Sequence, residues 1–207
     1  AGGGGSSPDL YAENYDGTST LPIATGTNAV ALNVQAEATG SYSTALGYGA
    51  VASGSFSTAS GQGASAGSSR SVALGYLATT ATGSNAVALG RSYASGTDSF
   101  AAAIANNTSS YDAQGANSVA IGQITKATGA NSIMIGKYGH ASGLGSVAID
   151  AATNSASGTS SASGTFSIVI GSSAANEQRS VAFGHGAASN TRGKIALSTH
   201  TISLQGD

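Results

Sequence analysis

The chain has 207 residues, 31 of them Gly, with no Trp, no Cys, one Met, two Pro and only 8% charged residues. A net charge of −2 excludes strong attraction to nucleic acid or to an anionic membrane surface, and the lack of Cys excludes disulfide and thiol chemistry. No apolar run approaches the roughly 18 residues of a membrane span, and no secretory leader is visible, so membrane insertion is not expected and any export signal or anchor is expected outside this sequence.

Residues 1–23 carry no repeat. Gly2 to Gly5, Pro8 and Pro22 mark an irregular stretch whose charges are all acidic (Asp9, Glu13, Asp16), read as a linker or N-terminal cap. From residue 24 a single pattern takes over: a small residue, an apolar one, a small one, an apolar one and usually Gly, as in Ser71-Val72-Ala73-Leu74-Gly75. Copies open at Ala29, Ser43, Ser57, Ser71, Ala86, Ser99, Ser118, Ser132, Ser146, Ser167, Ser180 and Lys194. Their spacings are 14, 14, 14, 15, 13, 19, 14, 14, 21, 13 and 14 residues. A fixed period signifies a repeat architecture, and the Gly content lacks the three-residue period of collagen.

Alternation within each copy is that of a strand, and Ile133, Ile135, Ile168 and Ile170 are β-branched residues that suit a pleated sheet. Gly75, Gly90, Gly122, Gly136, Gly171 and Gly184 close the strand where a turn takes φ > 0. Fourteen residues are too few for a helical repeat and enough for two short strands and two turns. The fold expected is all-β: a parallel β-roll or solenoid of about 14 residues per coil and about twelve coils over residues 24–197, with residues 198–207 as an exit strand or connector. A second recurring element, Ala-Thr/Ser-Gly at Ala24, Ala38, Ala52, Ala81, Ala94, Ala127, Ala141 and Ala162, marks the other turn and predicts close backbone approach at a corner or between chains.

Each coil is expected to offer about two large apolar side chains to an interior, at ~1.5–3 kcal/mol each, against a backbone ordering cost of roughly 1–2 kcal/mol per residue. One coil is therefore unstable alone, and stacking together with further chains is required. A homo-oligomer follows.

The 19-residue step falls around Asn106, Asn107, Tyr111 and Asp112, and the 21-residue step around 151–161. Insertions in solenoids map to loops on one face, often the binding face. Asn106 and Asn107 also fit the N-glycosylation pattern, which matters only in a eukaryotic secretory pathway.

Function is sought in what breaks the small-residue background. The residue after the turn Gly gives Tyr48, Gln62, Tyr76, Arg91, Gln123, Lys137, Ser172 and His185, a stripe of aromatic, amide and cationic side chains. Tyr and Arg dominate binding hot spots, so the stripe is either a receptor-binding face or an inter-chain contact. His140, His185 and His200 lie in different coils without a recurring carboxylate, and no nucleophile motif is present; neither an enzyme, a metal site nor a cofactor is expected. Calcium-binding rolls carry Asp in each repeat, whereas Asp150 stands alone at its turn position. The Thr/Ser ladder at Thr25, Thr39, Ser53, Thr82, Ser95, Thr128 and Ser142 leaves an ice-binding solenoid as one alternative. A passive spacer is another, since twelve coils at about 4.8 Å each make a rod on the order of 55–60 Å.

The unit Ala-Thr-Gly-x-Asn-Ser-Val-Ala-Ile-Gly, closely approached at residues 81–90 and 127–136, resembles the head repeat of YadA-like trimeric autotransporter adhesins. That resemblance implies a left-handed parallel β-roll, a homotrimer, an extracellular location and a non-catalytic role in attachment to a glycan or protein receptor. The same repeat occurs in bacteriophage tail fibres. The Gly-rich opening with Asp9-Leu10-Tyr11-Ala12-Glu13-Asn14, and the exit from Arg192-Gly193-Lys194 to Gln205-Gly206-Asp207, are similar to the leader and the passage into a following domain in such fibres. The resemblance thus favours a tail fibre, on a virion, over the head of an autotransporter on a bacterial outer surface.

Overall fold

The computed structural model describes residues 20–103, 110–151 and 160–198. Within them the chain forms two twelve-stranded sheets and passes alternately between them for about 11 turns of ~14 residues. The main sheet holds strands of three to five residues, from Val30–Leu32 to Ile195–Leu197; the minor sheet holds two-residue strands, from Ile23–Ala24 to Ala188–Ser189. Each pairs with the strand one coil before and after, always parallel, as Val72 does with Thr58 and Val87. Every one of the twelve motif copies begins a main-sheet strand one residue after its opening position. The two long steps leave the register intact: Phe100 pairs with Val119 and Val147 with Ile168.

The interior reverses one expectation. It is built from the small face of the repeat, not from the large apolar face. Ala45, Ala59, Ala73, Ala88, Ala101, Ala120, Ala148 and Ala182 of the main sheet are fully buried against Ala38, Ala52, Ala66, Ala94, Ala127 and Ala141 of the minor sheet. The motif-opening serines are buried with them, and Ser71, Ser99 and Ser180 each donate to the carbonyl three residues back at 2.6–2.7 Å. Val72 is half-buried and Leu74 exposed on the outside. The reason is the coil length. A two-residue minor strand and two tight turns hold the sheets close together, so Ala and Ser fill most of the lumen and all the branched main-sheet side chains but Val169 turn out among the described residues.

Two larger residues, Met134 and Val169, stand at lumen positions of the main sheet, and for Met134 space is made opposite. Met134 takes the place of the usual Ala and is fully buried. A Cβ at Gly139 would lie 1.9 Å from its Cε and 2.5 Å from its Sδ; neighbouring coils carry larger residues at that position, Thr125 before it and Ser160 after it.

Two kinds of Gly mark the corners. Gly75 and Gly136 end main-sheet strands at φ 125° and 132°, a region that disfavours any Cβ. Gly40 and Gly129, from the Ala-Thr-Gly element, are needed for steric reasons instead: a Cβ on either would lie 2.1 Å from the carbonyl oxygen of the equivalent Gly in the next coil. The predicted close backbone approach is therefore met between successive coils of one chain.

Gly139→Ala is expected to cost about 1–3 kcal/mol through overpacking, and Met134→Ala to cost stability through a cavity. The double variant should regain most of what Gly139→Ala loses. Thermal unfolding of the three variants checks this; simple additivity would refute the pairing.

Candidate functional site

Side chains beyond Ala, Ser and Gly lie on the outer face of the main sheet, on the two corners beside it and, at Glu37, Val51, Thr79, Tyr93, Lys126 and His140, along the minor sheet. The outer face is apolar over most of its length. Val30, Leu74, Ile121, Ile135, Ile149, Ile168, Phe183, Ile195 and Leu197 are 36–70% exposed, and parallel register stacks them into two columns. A contiguous apolar face of this extent is of the kind that marks an interaction surface.

The corner where the chain leaves the main sheet carries the predicted stripe. Backbone hydrogen bonds hold it in column: Gly63 N–H to Tyr48 O at 2.9 Å, Leu77 to Gln62 at 3.0 Å, Tyr138 to Gln123 at 3.1 Å and Gly186 to Ser172 at 2.7 Å. Tyr48, Gln62, Tyr76 and His185 are exposed, whereas Arg91, Gln123 and Lys137 are half-buried. The Arg91 guanidinium lies 5.7 Å from the Tyr76 ring centroid, one coil away, and the Lys137 ammonium 5.0 Å from that of Tyr138. Both contacts have cation–π geometry.

Both insertions open at this same corner. The first lies between the strands Phe100–Ala103 and Asp112–Ala113, the second between Val147–Ala151 and Ser161–Ala162. Asn106 and Asn107 fall outside the described residues. Of the other predicted loop residues, Tyr111 is exposed. Asp112 is not a loop residue: it begins a minor-sheet strand, fully buried, with its N–H donated to Thr125 O at 2.7 Å.

Beside Asp112 the minor sheet places Lys126 and then His140 in one column. His140 Nε2 and Thr128 Oγ1 are hydrogen-bonded at 2.9 Å. Burial, and secondly the charge of Lys126, hold the His140 imidazole below its ordinary value of 6.5.

The opposite corner, where the chain enters the main sheet, was not singled out from sequence. Its turn residue is left-handed in coil after coil: Asn28, Tyr42, Phe56, Arg70, Asn85, Asp98, Asn117, Asn131, Phe166 and Arg179 have φ of 54–60°. Amide ladders form there, Asn85 Nδ2 donating to Asp98 Oδ1 at 2.7 Å and Asn117 Nδ2 to Asn131 Oδ1 at 3.0 Å. Tyr42 and Phe56 stack at 5.0 Å with planes 1° apart. The signal was available in the sequence, because each of these residues immediately precedes a motif opening.

Comparison with known families gives one match. The family model of the YadA head domain repeat, two copies long, matches residues 24–50, 38–64, 52–78, 70–92, 113–138 and 162–187, together more than half of the chain. No curated protein matches it.

His140 supplies a pH test. Its depressed basicity in the fold means that the unfolded chain binds the proton more readily, so its contribution to stability is complete above about 6.5 and is lost as pH falls through the lower folded value. The melting temperature should fall more between pH 7.5 and 5 in the natural chain than in His140→Gln. Equal falls would refute the assignment.

Proposed function

The chain belongs to the family of the YadA head domain repeat, an adhesin-type structural domain, and on that premise we propose that three copies pack into a fibre segment that attaches to a cell surface. The observation that carries this reading is the apolar outer face of the main sheet. A monomer would leave its columns of Val, Leu and Ile in water along the whole roll. Closing three such faces around one axis removes them from water at on the order of 1 kcal/mol for each half-buried side chain, and closed symmetry leaves no free apolar face. Leu and Ile at these positions therefore serve assembly rather than the core of the single chain.

The receptor-facing surface in this reading is the exit corner. Its stripe of Tyr48, Gln62, Tyr76, Arg91, Gln123, Lys137 and His185 is collinear, and both insertions open on it, which is where solenoids commonly place binding loops. The receptor is a surface glycan or protein. Of the two settings, the tail fibre of a phage is favoured by the leader and exit segments quoted above, and the head of an autotransporter adhesin is the second reading.

Light scattering over a dilution series should give three times the chain mass of 19.7 kDa, and Leu74→Asp with Ile135→Asp should reduce it to monomer. A natural chain that is monomeric would sink the trimer. Alanine at Tyr48, Tyr76 and Arg91 should then abolish attachment to the target cell at unchanged melting temperature; undiminished attachment would make the segment a spacer.

A further inference from the structure

We propose that the entry corner, distinct from the stripe above, holds a binding site for an acidic saccharide, built from Phe56 and Arg70 and repeated in weaker form at Phe166 and Arg179. The starting observation is conformational. Every one of these four side chains sits at a left-handed position, φ 54–60°, that other coils fill with Asn28, Asn85, Asn117 and Asn131. Asn tolerates that region, and bulky residues are outliers in it. Large rings are held here in an unfavourable backbone region and left more than half exposed, 58% for Phe56 and 52% for Phe166, outside the core. Strain of this kind gathers at functional sites.

The second observation is recurrence. Twice in the chain a Phe is followed one coil on, at the same corner position, by an Arg. The two constellations stand seven coil steps apart in the main sheet, roughly 34 Å at about 4.8 Å per step. In both, the ring is seated from the preceding coil. Tyr42 stacks on Phe56, and the Phe166 ring occupies the space a Cβ on Gly145 would take, 2.7 Å from Cδ1.

The third is what the arginines do not do. At the exit corner Arg91 already lies over the Tyr76 ring. Arg70 and Arg179 are exposed and make neither a ring contact nor an ion pair among the described residues. A planar guanidinium so placed is suited to bidentate pairing with a carboxylate. Beside Phe56 and Arg70 the preceding turn residues, Ser55 and Ser69, add hydroxyls that can bond sugar hydroxyls. An apolar ring, an anion acceptor one coil away and flanking hydroxyls match a sugar with an apolar face and an acidic group. Exposed Glu177 lies two residues before Arg179, whereas Ser68 holds that place before Arg70. The Arg70 site is thus the stronger.

The test is calorimetric titration of the full chain with three probes: an oligogalacturonate, its carboxyl-reduced neutral counterpart and a sulfated dextran. The oligogalacturonate should bind and the neutral oligomer should not. Phe56→Ala and Arg70→Ala should each weaken binding at least tenfold, Arg70→Lys less, and Arg179→Ala only slightly, with mass and melting temperature unchanged. Binding of the sulfated dextran that depends on Phe56 would identify sulfate as the better anion and support the site. Binding that depends on Arg70 but not on Phe56 would overturn it as unspecific charge attraction. Absence of binding would overturn it, and so would a change in mass on Arg70→Ala, which would assign the corner to a contact between subunits. Alanine at Tyr76 and Arg91 leaves this binding intact in either case, so the fate of the exit-corner reading is separable.

Discussion

The parallel backbone ladder is the constraint on which everything else in this molecule depends. Each coil must bond to the next at a spacing of about 4.8 Å, so residues at equivalent positions are forced into columns. A column accepts only what can stack on itself. At the Ala-Thr-Gly corner the stacked element is the backbone itself, and a Cβ on Gly40 or Gly129 would collide with the next coil's carbonyl. In the lumen it is Ala on Ala, with Met134 admitted only where Gly139 stands opposite.

The same columns distribute function. Amides at the entry corner form ladders, as Asn117 and Asn131 do; aromatics stack, as Tyr42 and Phe56 do; branched aliphatics on the main sheet build an apolar face. A solenoid thereby turns a one-dimensional list of variable residues into lines of chemistry along a rod. Like charges in a column are costly: burial first, and then Lys126 in the preceding coil, makes protonation of His140 harder. Variation is cheapest at the corners, where a side chain can leave the column without breaking the ladder, and there Tyr42, Tyr48, Tyr76, Arg70, Arg91 and Arg179 stand.

The energetics of the single chain explain why its largest apolar residues face out. Ala and Ser in the lumen bury little apolar area per coil, and the ladder's hydrogen bonds contribute modestly once exchanged against water. The remaining apolar area lies on the outer face of the main sheet, where the single chain leaves it in water. In the proposed trimer, assembly would thereby become part of the folding energetics.

Sequence alone determined the coil. Period, strand positions and turn glycines were all legible, because a parallel ladder repeats its pattern at fixed offset and small residues betray close packing. Alternation between Val72 and Ala73 divided the strand into two faces correctly. It could not say which face was inside, since hydrophobicity argues for Val and Leu while the width of the lumen, a property of the closed coil, favours Ala and Ser. The stripe at Tyr48, Gln62 and Tyr76 was legible from its offset, whereas the gathering of both insertions at that same corner was decided by where the chain crosses between sheets. Asp112 was read as loop and lies buried in a strand, because an insertion's end is set by the register of the ladder it rejoins. The entry corner went unread for a related reason: Tyr42, Phe56 and Arg70 look like chance residues in a turn until stacking shows them to be one line, held in a backbone region that their side chains disfavour.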